Sequence, residues 1–186
     1  MDTSLIDKAI IFAVKSHSNT TRKGGKIPYI SHPLEVFSIC CTLTSDENVL
    51  ASSVLHDTVE DTSVTLEDIK REFNEQVAVL VGKETENKRA GVPQSESWKI
   101  RKQETIDMLK TADKNEQILI LCDKLSNMRA VYRDYSLSGE EFWQIFNNKN
   151  KSDHAWYYKS IAENLTLLKD TFAYKEFVKL IELVFG

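Results

Sequence analysis

Apolar residues recur at three- and four-residue spacing along most of this chain, and no stretch alternates apolar with polar as a half-buried strand does. With 6 Gly and 3 Pro in 186 residues, little interrupts a helix. The pattern predicts an all-α fold. At this length one good core suffices. No internal repeat, low-complexity tract or linker stands out, so 1–186 reads as a single-domain helical bundle.

Ile6, Ala9, Ile10, Ala13 and His17 fall on one stripe of a first helix, and a polar loop from Ser18 to Lys26 follows. Pro33 suits the first turn of a second helix, with Leu34, Phe37 and Cys41 directed inward. Thr44 and Glu47 read as a capping box opening a third helix, which runs through Leu50, Val54 and Leu55 to His56 and Asp57. Thr65 and Asp68 open a fourth by the same logic, and Asn74 caps a fifth through Val77, Leu80 and Val81. Residues 85–97 read as an exposed loop, broken by Gly91 and Pro93. A helix over 98–110 follows. The next is capped by Asn115 and carries Ile118, Leu121, Cys122, Leu125 and Met128. Helices over 138–147, 153–170 and 172–185 complete the chain.

Apolar content is 41% and charged content 28%, ordinary for a globular protein. The net charge of −4 gives no electrostatic case for nucleic-acid binding. No run approaches the roughly 18 apolar residues of a membrane span. The first residues lack the basic and apolar regions of a signal peptide, which favours the cytoplasm. Cys40, Cys41 and Cys122 are odd in number and set in apolar surroundings, so free buried thiols are expected rather than a disulfide framework.

His56 and Asp57 are neighbours, and an adjacent imidazole and carboxylate can ligate one divalent metal. On a helix, Glu60 shares a face with His56 and Asp61 with Asp57, placing two acids a turn beyond two ligands. His32 upstream and Asp123 downstream complete a two-nitrogen, two-oxygen set, which suits Mn, Fe or Zn. Asp123 lies in the apolar run Ile118 to Cys122, where a carboxylate is costly unless paired or metal-bound. Asn127, four residues on, faces the same way. Arg22, Lys23 and Lys26 flank Gly24 and Gly25 in a flexible basic loop, and arginine's planar fork suits a phosphate or a base. Lys88, Arg89, Lys99, Arg101 and Lys102 form a second basic group, readable as a distal phosphate site or as a solvated face. His17 reads as a satisfied core histidine that could orient the basic loop, and His154 carries no assigned role.

On these motifs the chain resembles the HD-domain phosphohydrolases, and within them the RelA/SpoT-like (p)ppGpp hydrolases, above all the stand-alone small alarmone hydrolases. The stretches that carry the resemblance are Arg22-Lys23, Pro28 to Leu34, Leu55 to Thr62 and Asp123 to Arg129. It implies an all-helical fold, Mn2+ as cofactor, and removal of the 3′-pyrophosphate of ppGpp or pppGpp to give GDP or GTP. It implies His32, His56, Asp57 and Asp123 as metal ligands and Glu60 and Asp61 as catalytic acids. Arg22, Lys23, Tyr29 and Asn127 would form the guanosine and ribose side, with Lys99 serving where some relatives place a phosphate-binding lysine and this chain has Trp98. Ser126 and Ala130 depart from the longer relatives, which often have His and a hydroxyl residue there. The length leaves no room for a synthetase domain, so hydrolysis without synthesis is expected. The expected partner is a small nucleotide, with no nucleic acid and no membrane, and oligomeric state stays open. Two other readings stand beside this one: an HD phosphatase acting on NADPH or a nucleoside monophosphate, and a non-catalytic alarmone-binding module.

Overall fold

Side-chain caps open six of the described helices, and the others begin without one. The structure, a computed structural model, describes residues 3–186; Met1 and Asp2, the start of the segment read as lacking a leader, lie outside them. Helix α1 spans Ser4–Ser16 and buries Ile6, Ala9 and Ala13, with His17 at its C-cap. Helix α2 is Ser31–Cys40. Its inward face is not the expected one. His32, Pro33, Val36, Ile39 and Cys40 are buried, whereas Leu34 is 37% exposed, Cys41 is exposed and Phe37 is only partly buried. Positions 32, 36 and 39 form one helical stripe. Burying the His32 imidazole turns Leu34, about 200° further round, toward solvent.

Helix α3, Glu47–Leu55, is capped by Asp46 rather than Thr44: the Asp46 carboxylate accepts from the amides of Asn48 at 2.9 Å and Val49 at 3.4 Å. Thr44 instead accepts from the Asp46 amide at 3.1 Å. A carboxylate satisfies orphan donors and complements the helix dipole, so it displaces the hydroxyl from the cap. Val49 through Leu55 are all buried. A four-residue α4, Thr58–Asp61, follows, then α5, Leu66–Glu72, with the expected Thr65/Asp68 capping box, and α6, Glu75–Glu84, capped by Asn74.

Helix α7, Gln94–Leu109, begins directly after Pro93, so the expected loop ends four residues early and Ser97 and Trp98 are buried. Helix α8, Lys114–Ser138, is capped two residues before Asn115, by a reciprocal Asp113/Glu116 box. A 3-10 helix, Gly139–Ile145, precedes α9, Lys151–Asn164, which stops short of the expected residue 170, and α10, Phe172–Phe185. Among the described residues there is no strand, only an isolated antiparallel bridge between Thr21 and Pro28. No described helix is long and apolar enough to cross a membrane.

The chain divides into two compact units, Met1–Thr85 with Ile118–Asp123, and Glu86–Gln117 with Lys124–Gly186. In the first, α3 packs against α1, α2 and α6 around Ala9, Ala13, Ala51, Val54, Leu55, Ile69, Val77 and Val81. In the second, α9 packs against α7 and α10. Trp98, Trp143 and Phe146 surround His154, whose Nε2 pairs with the Asn148 carbonyl at 2.8 Å. Glu86 there binds Arg101 and, at 2.6 Å, Lys102.

Candidate metal centre and its acids

His56 and Asp57 do not sit inside one continuous helix. Helix α3 ends at Leu55, His56 is its C-cap (φ −52, ψ −39), and Asp57 (φ −91, ψ −5) is the N-cap of α4. The buried Thr58 hydroxyl donates to the Leu55 carbonyl at 2.6 Å, satisfying an acceptor left over at the helix end. The Asp61 amide donates to the Asp57 carbonyl at 2.9 Å, so these two acids do keep the expected one-turn relation. His56 thus ends one element and Asp57 begins the next, and their side chains meet.

At that point four side chains meet. His56 Nε2 lies 3.2 Å from His32 Nε2, 3.1 Å from Asp57 Oδ2 and 3.7 Å from Asp123 Oδ1. His32 Nε2 lies 3.1 Å from Asp123 Oδ1 and 3.5 Å from Asp57 Oδ2. Ligands about 2.1 Å from one cation are about 3.0 Å apart at right angles and about 3.4 Å apart in a tetrahedron; the shorter of these separations fall in that range, and ligand atoms of His32, His56 and Asp57 lie within 4.8 Å of one another, with Asp123 beside both imidazoles. His56 Nδ1 donates to the Ser53 carbonyl at 2.8 Å, so in the neutral imidazole Nε2 is the nitrogen whose lone pair faces the other three side chains. Two carboxylates and two imidazoles, most of them buried, have little to offer one another except through a proton or a cation. The donor set fits a divalent metal.

The four groups also act on one another's protonation. Burial drives the His32 pKa down, against the pull of Asp123 and Asp57. Burial opposes protonation of His56 too, but Asp57 and Asp123 outweigh it and hold its pKa well above the ordinary value. Asp57, despite burial, is held below the usual carboxylate range by His56 and His32. The two imidazoles are shifted in opposite directions: His32 is pushed toward its neutral form by burial, and His56 toward its charged form by the two carboxylates.

The loop between α1 and α2 brings a third layer. The Tyr29 amide donates to the Thr20 carbonyl and the Arg22 amide to the Ile27 carbonyl, both at 2.9 Å, and the tip turns through Gly24 at φ +79. This anchors Tyr29, whose hydroxyl lies 2.7 Å from Asp57 Oδ2 and 2.7 Å from Asp61 Oδ2. His17 stacks on the Tyr29 ring at 4.8 Å, and the Arg22 guanidinium lies 5.5 Å from the ring centre. Lys23 is exposed at the loop, Asp61 is exposed, and Glu60 beside it is half-buried.

The other expected substrate residues lie in the second unit. Asn127 is half-buried on α8, one turn after Asp123. Lys99 is exposed, 3.5 Å from Asp153 and 5.5 Å from the Trp156 ring. Sequence reading missed the Ser53 carbonyl and the two-acid reach of Tyr29. Neither leaves a local signal, since the first is main chain and the second spans 28 and 32 residues. Cys40 and Cys122 are buried and free as expected, the Cys122 thiol pushed up by its hydrogen bond with Cys40 and by burial, but Cys41 is exposed.

The sequence profile of the HD domain matches residues 9–149, and the chain belongs to that family. Over its HD region it is similar to several long bacterial enzymes. The GTP pyrophosphokinase rsh of Brucella ovis is 30% identical over 131 residues, 70% of this chain and 17% of that protein. The GTP pyrophosphokinase of Myxococcus xanthus is 35% identical over 133 residues, 70% of this chain and 17% of that one. The chain therefore spans under a fifth of the length of these relatives. Among solved structures, a metazoan ortholog of SpoT that hydrolyzes ppGpp and plays a role in starvation responses superposes with a TM-score of 0.77 at 22% identity, over 98% of this chain and 96% of that one. The lmo0812 protein of Listeria monocytogenes EGD-e gives 0.73 at 33% identity, over 83% of this chain and 98% of that one.

Proposed function

We propose that 1–186 acts as one HD-type hydrolase domain that uses Mn2+ to hydrolyse the 3′-pyrophosphate of ppGpp or pppGpp, releasing GDP or GTP and pyrophosphate. The observation that carries this is the grouping of His32, His56 and Asp57 within 4.8 Å of one another, with Asp123 beside both imidazoles and Asp61 joined to Asp57 through Tyr29. The relatives' guanosine-nucleotide enzymology supports the substrate class.

In this reading His32, His56, Asp57 and Asp123 hold the cation. When bound, it supplies Lewis acidity that makes water a nucleophile near neutral pH and offsets charge on the phosphoryl oxygens. Mixed imidazole and carboxylate donors suit Mn2+. Glu60 and Asp61 orient the attacking water and take its proton. The water oxygen bonds to the phosphorus next to the ribose 3′ oxygen, that P–O bond breaks, and a proton ends on the 3′ oxygen. Arg22 and Lys23 contact the base and sugar side, Arg22 through a planar face that can stack. The buried free thiols accord with a cytoplasmic setting.

The test is product analysis by anion exchange after incubation with ppGpp and Mn2+, with an EDTA control and parallel NADPH and GMP reactions. GDP plus pyrophosphate, lost with EDTA, is expected. Phosphate from NADPH or GMP without turnover of ppGpp overturns the substrate and keeps the centre. Binding of ppGpp without turnover of any of the three overturns the enzyme.

A further inference from the structure

We propose that Tyr29 and His17 are positioning residues for the metal centre: the Tyr29 hydroxyl ties the ligand carboxylate of Asp57 to the acid Asp61, and His17 holds the Tyr29 ring in place. This deepens the proposed function and rests on its assignment of Asp57 as a ligand. The Asp57 oxygen that Tyr29 reaches, Oδ2, is the same atom that lies 3.1 Å from His56 Nε2 and 3.5 Å from His32 Nε2. The hydroxyl therefore bonds the donor atom itself, not a spectator oxygen. The Asp61 contact has the same length, 2.7 Å, so the single hydroxyl proton is shared between two carboxylates that would otherwise repel. An outer contact of this kind orients a ligand and tunes its donor strength.

His17 supplies the other half. It is 3% exposed, its Nε2 finds no hydrogen-bond partner, and its ring lies against Tyr29 at an interplanar angle of 26°. A buried nitrogen without a partner costs stability, so what this ring contributes is its flat face. Tyr29 carries its hydroxyl at the far end of a long rigid side chain. A small swing at χ1 displaces that oxygen by more than a hydrogen bond tolerates. The stack, with the Arg22 guanidinium 5.5 Å from the ring centre, opposes that swing.

The experiment measures Mn2+ binding by calorimetry to the full chain and to Tyr29→Phe, His17→Ala and His17→Phe, with thermal unfolding as a fold check and kcat and KM for ppGpp beside it. Tyr29→Phe keeps the ring and removes only the hydroxyl. It is expected to weaken Mn2+ binding about 10–100-fold and to lower kcat with KM within about threefold. His17→Ala is expected to weaken Mn2+ binding as well, and His17→Phe, which restores a flat face without nitrogens, to recover most of the loss. Wild-type Mn2+ affinity in Tyr29→Phe, with only KM raised, overturns the proposal and makes Tyr29 a substrate contact. Tyr29→Phe decides the matter even where a His17 variant does not fold. A wild-type chain that binds no Mn2+ overturns the proposed function and this inference together. One that binds Mn2+ but spares ppGpp overturns only the proposed substrate.

Discussion

Asp123 shows how much of this site one residue can reveal. It is 6% exposed at the end of the buried run Ile118 to Cys122, and a carboxylate there is tolerable because two imidazole nitrogens face it at 3.1 and 3.7 Å. Asp123→Asn keeps the volume and removes the charge. It should weaken Mn2+ binding by more than the roughly 10–100-fold that loss of an outer-shell partner costs, measured by calorimetry. The charge in an apolar run was legible from sequence, as was the His56–Asp57 pair, because both are local anomalies. Tyr29 and His17 were not legible in this way. Their contacts depend on a loop returning across the end of α1, and a tyrosine beside a proline carries no mark of which carboxylates it will meet. Leu55 belongs to the legible set as core. Leu55→Ala should cost about 2–5 kcal/mol in urea unfolding, because this fully buried side chain belongs to the core cluster formed with Ala51, Val54, Ile69 and Val81.

Among elements, the boundary that matters most is the one that periodicity could not show. Residues 56 and 57 keep near-helical angles, so the apolar pattern runs on through a break that only hydrogen bonding reveals. Cap positions failed in a related way at α3 and α8, where an aspartate two residues from the expected cap took the role. Aspartate and threonine or asparagine are near-equal caps in isolation, and geometry chooses among them. Asp46→Ala should therefore cost about 1 kcal/mol, while Thr44→Ala costs less, as read from paired denaturation curves. The segment before α7 offers a pH test. Burial would raise the Glu86 pKa, but Lys102, Lys124 and Arg101 override it and hold it below the ordinary value. A depressed folded-state pKa contributes stability above the unfolded glutamate value, about 4.3, that is lost as pH falls through the folded one. Glu86→Gln should be less stable than wild type at pH 7, and the gap should close on acidification below about pH 4. A gap that stays constant down to pH 3 would show that the charge is not what Glu86 contributes.

At the scale of the molecule, the all-α class followed from periodicity and from the scarcity of glycine and proline, whereas the division into two compact units did not. The unit border falls twice within α8, a continuous 25-residue helix, and no composition change marks it. A cation held only by the folded chain stabilises it by mass action, about 2.7 kcal/mol at a hundredfold excess over Kd. Mn2+ should raise the unfolding midpoint by roughly 5–10 °C, and EDTA should reverse it, in a scanning calorimeter. The Ser53 carbonyl that receives His56 Nδ1 has a consequence for how such a chain tolerates change. Orientation of this imidazole is delegated to the main chain, which every amino acid supplies alike. Substitution at position 53 can alter packing yet cannot delete the acceptor. Only a change in the course of α3 can do that, so this part of the site is inherited with the helix and is immune to drift in side-chain identity.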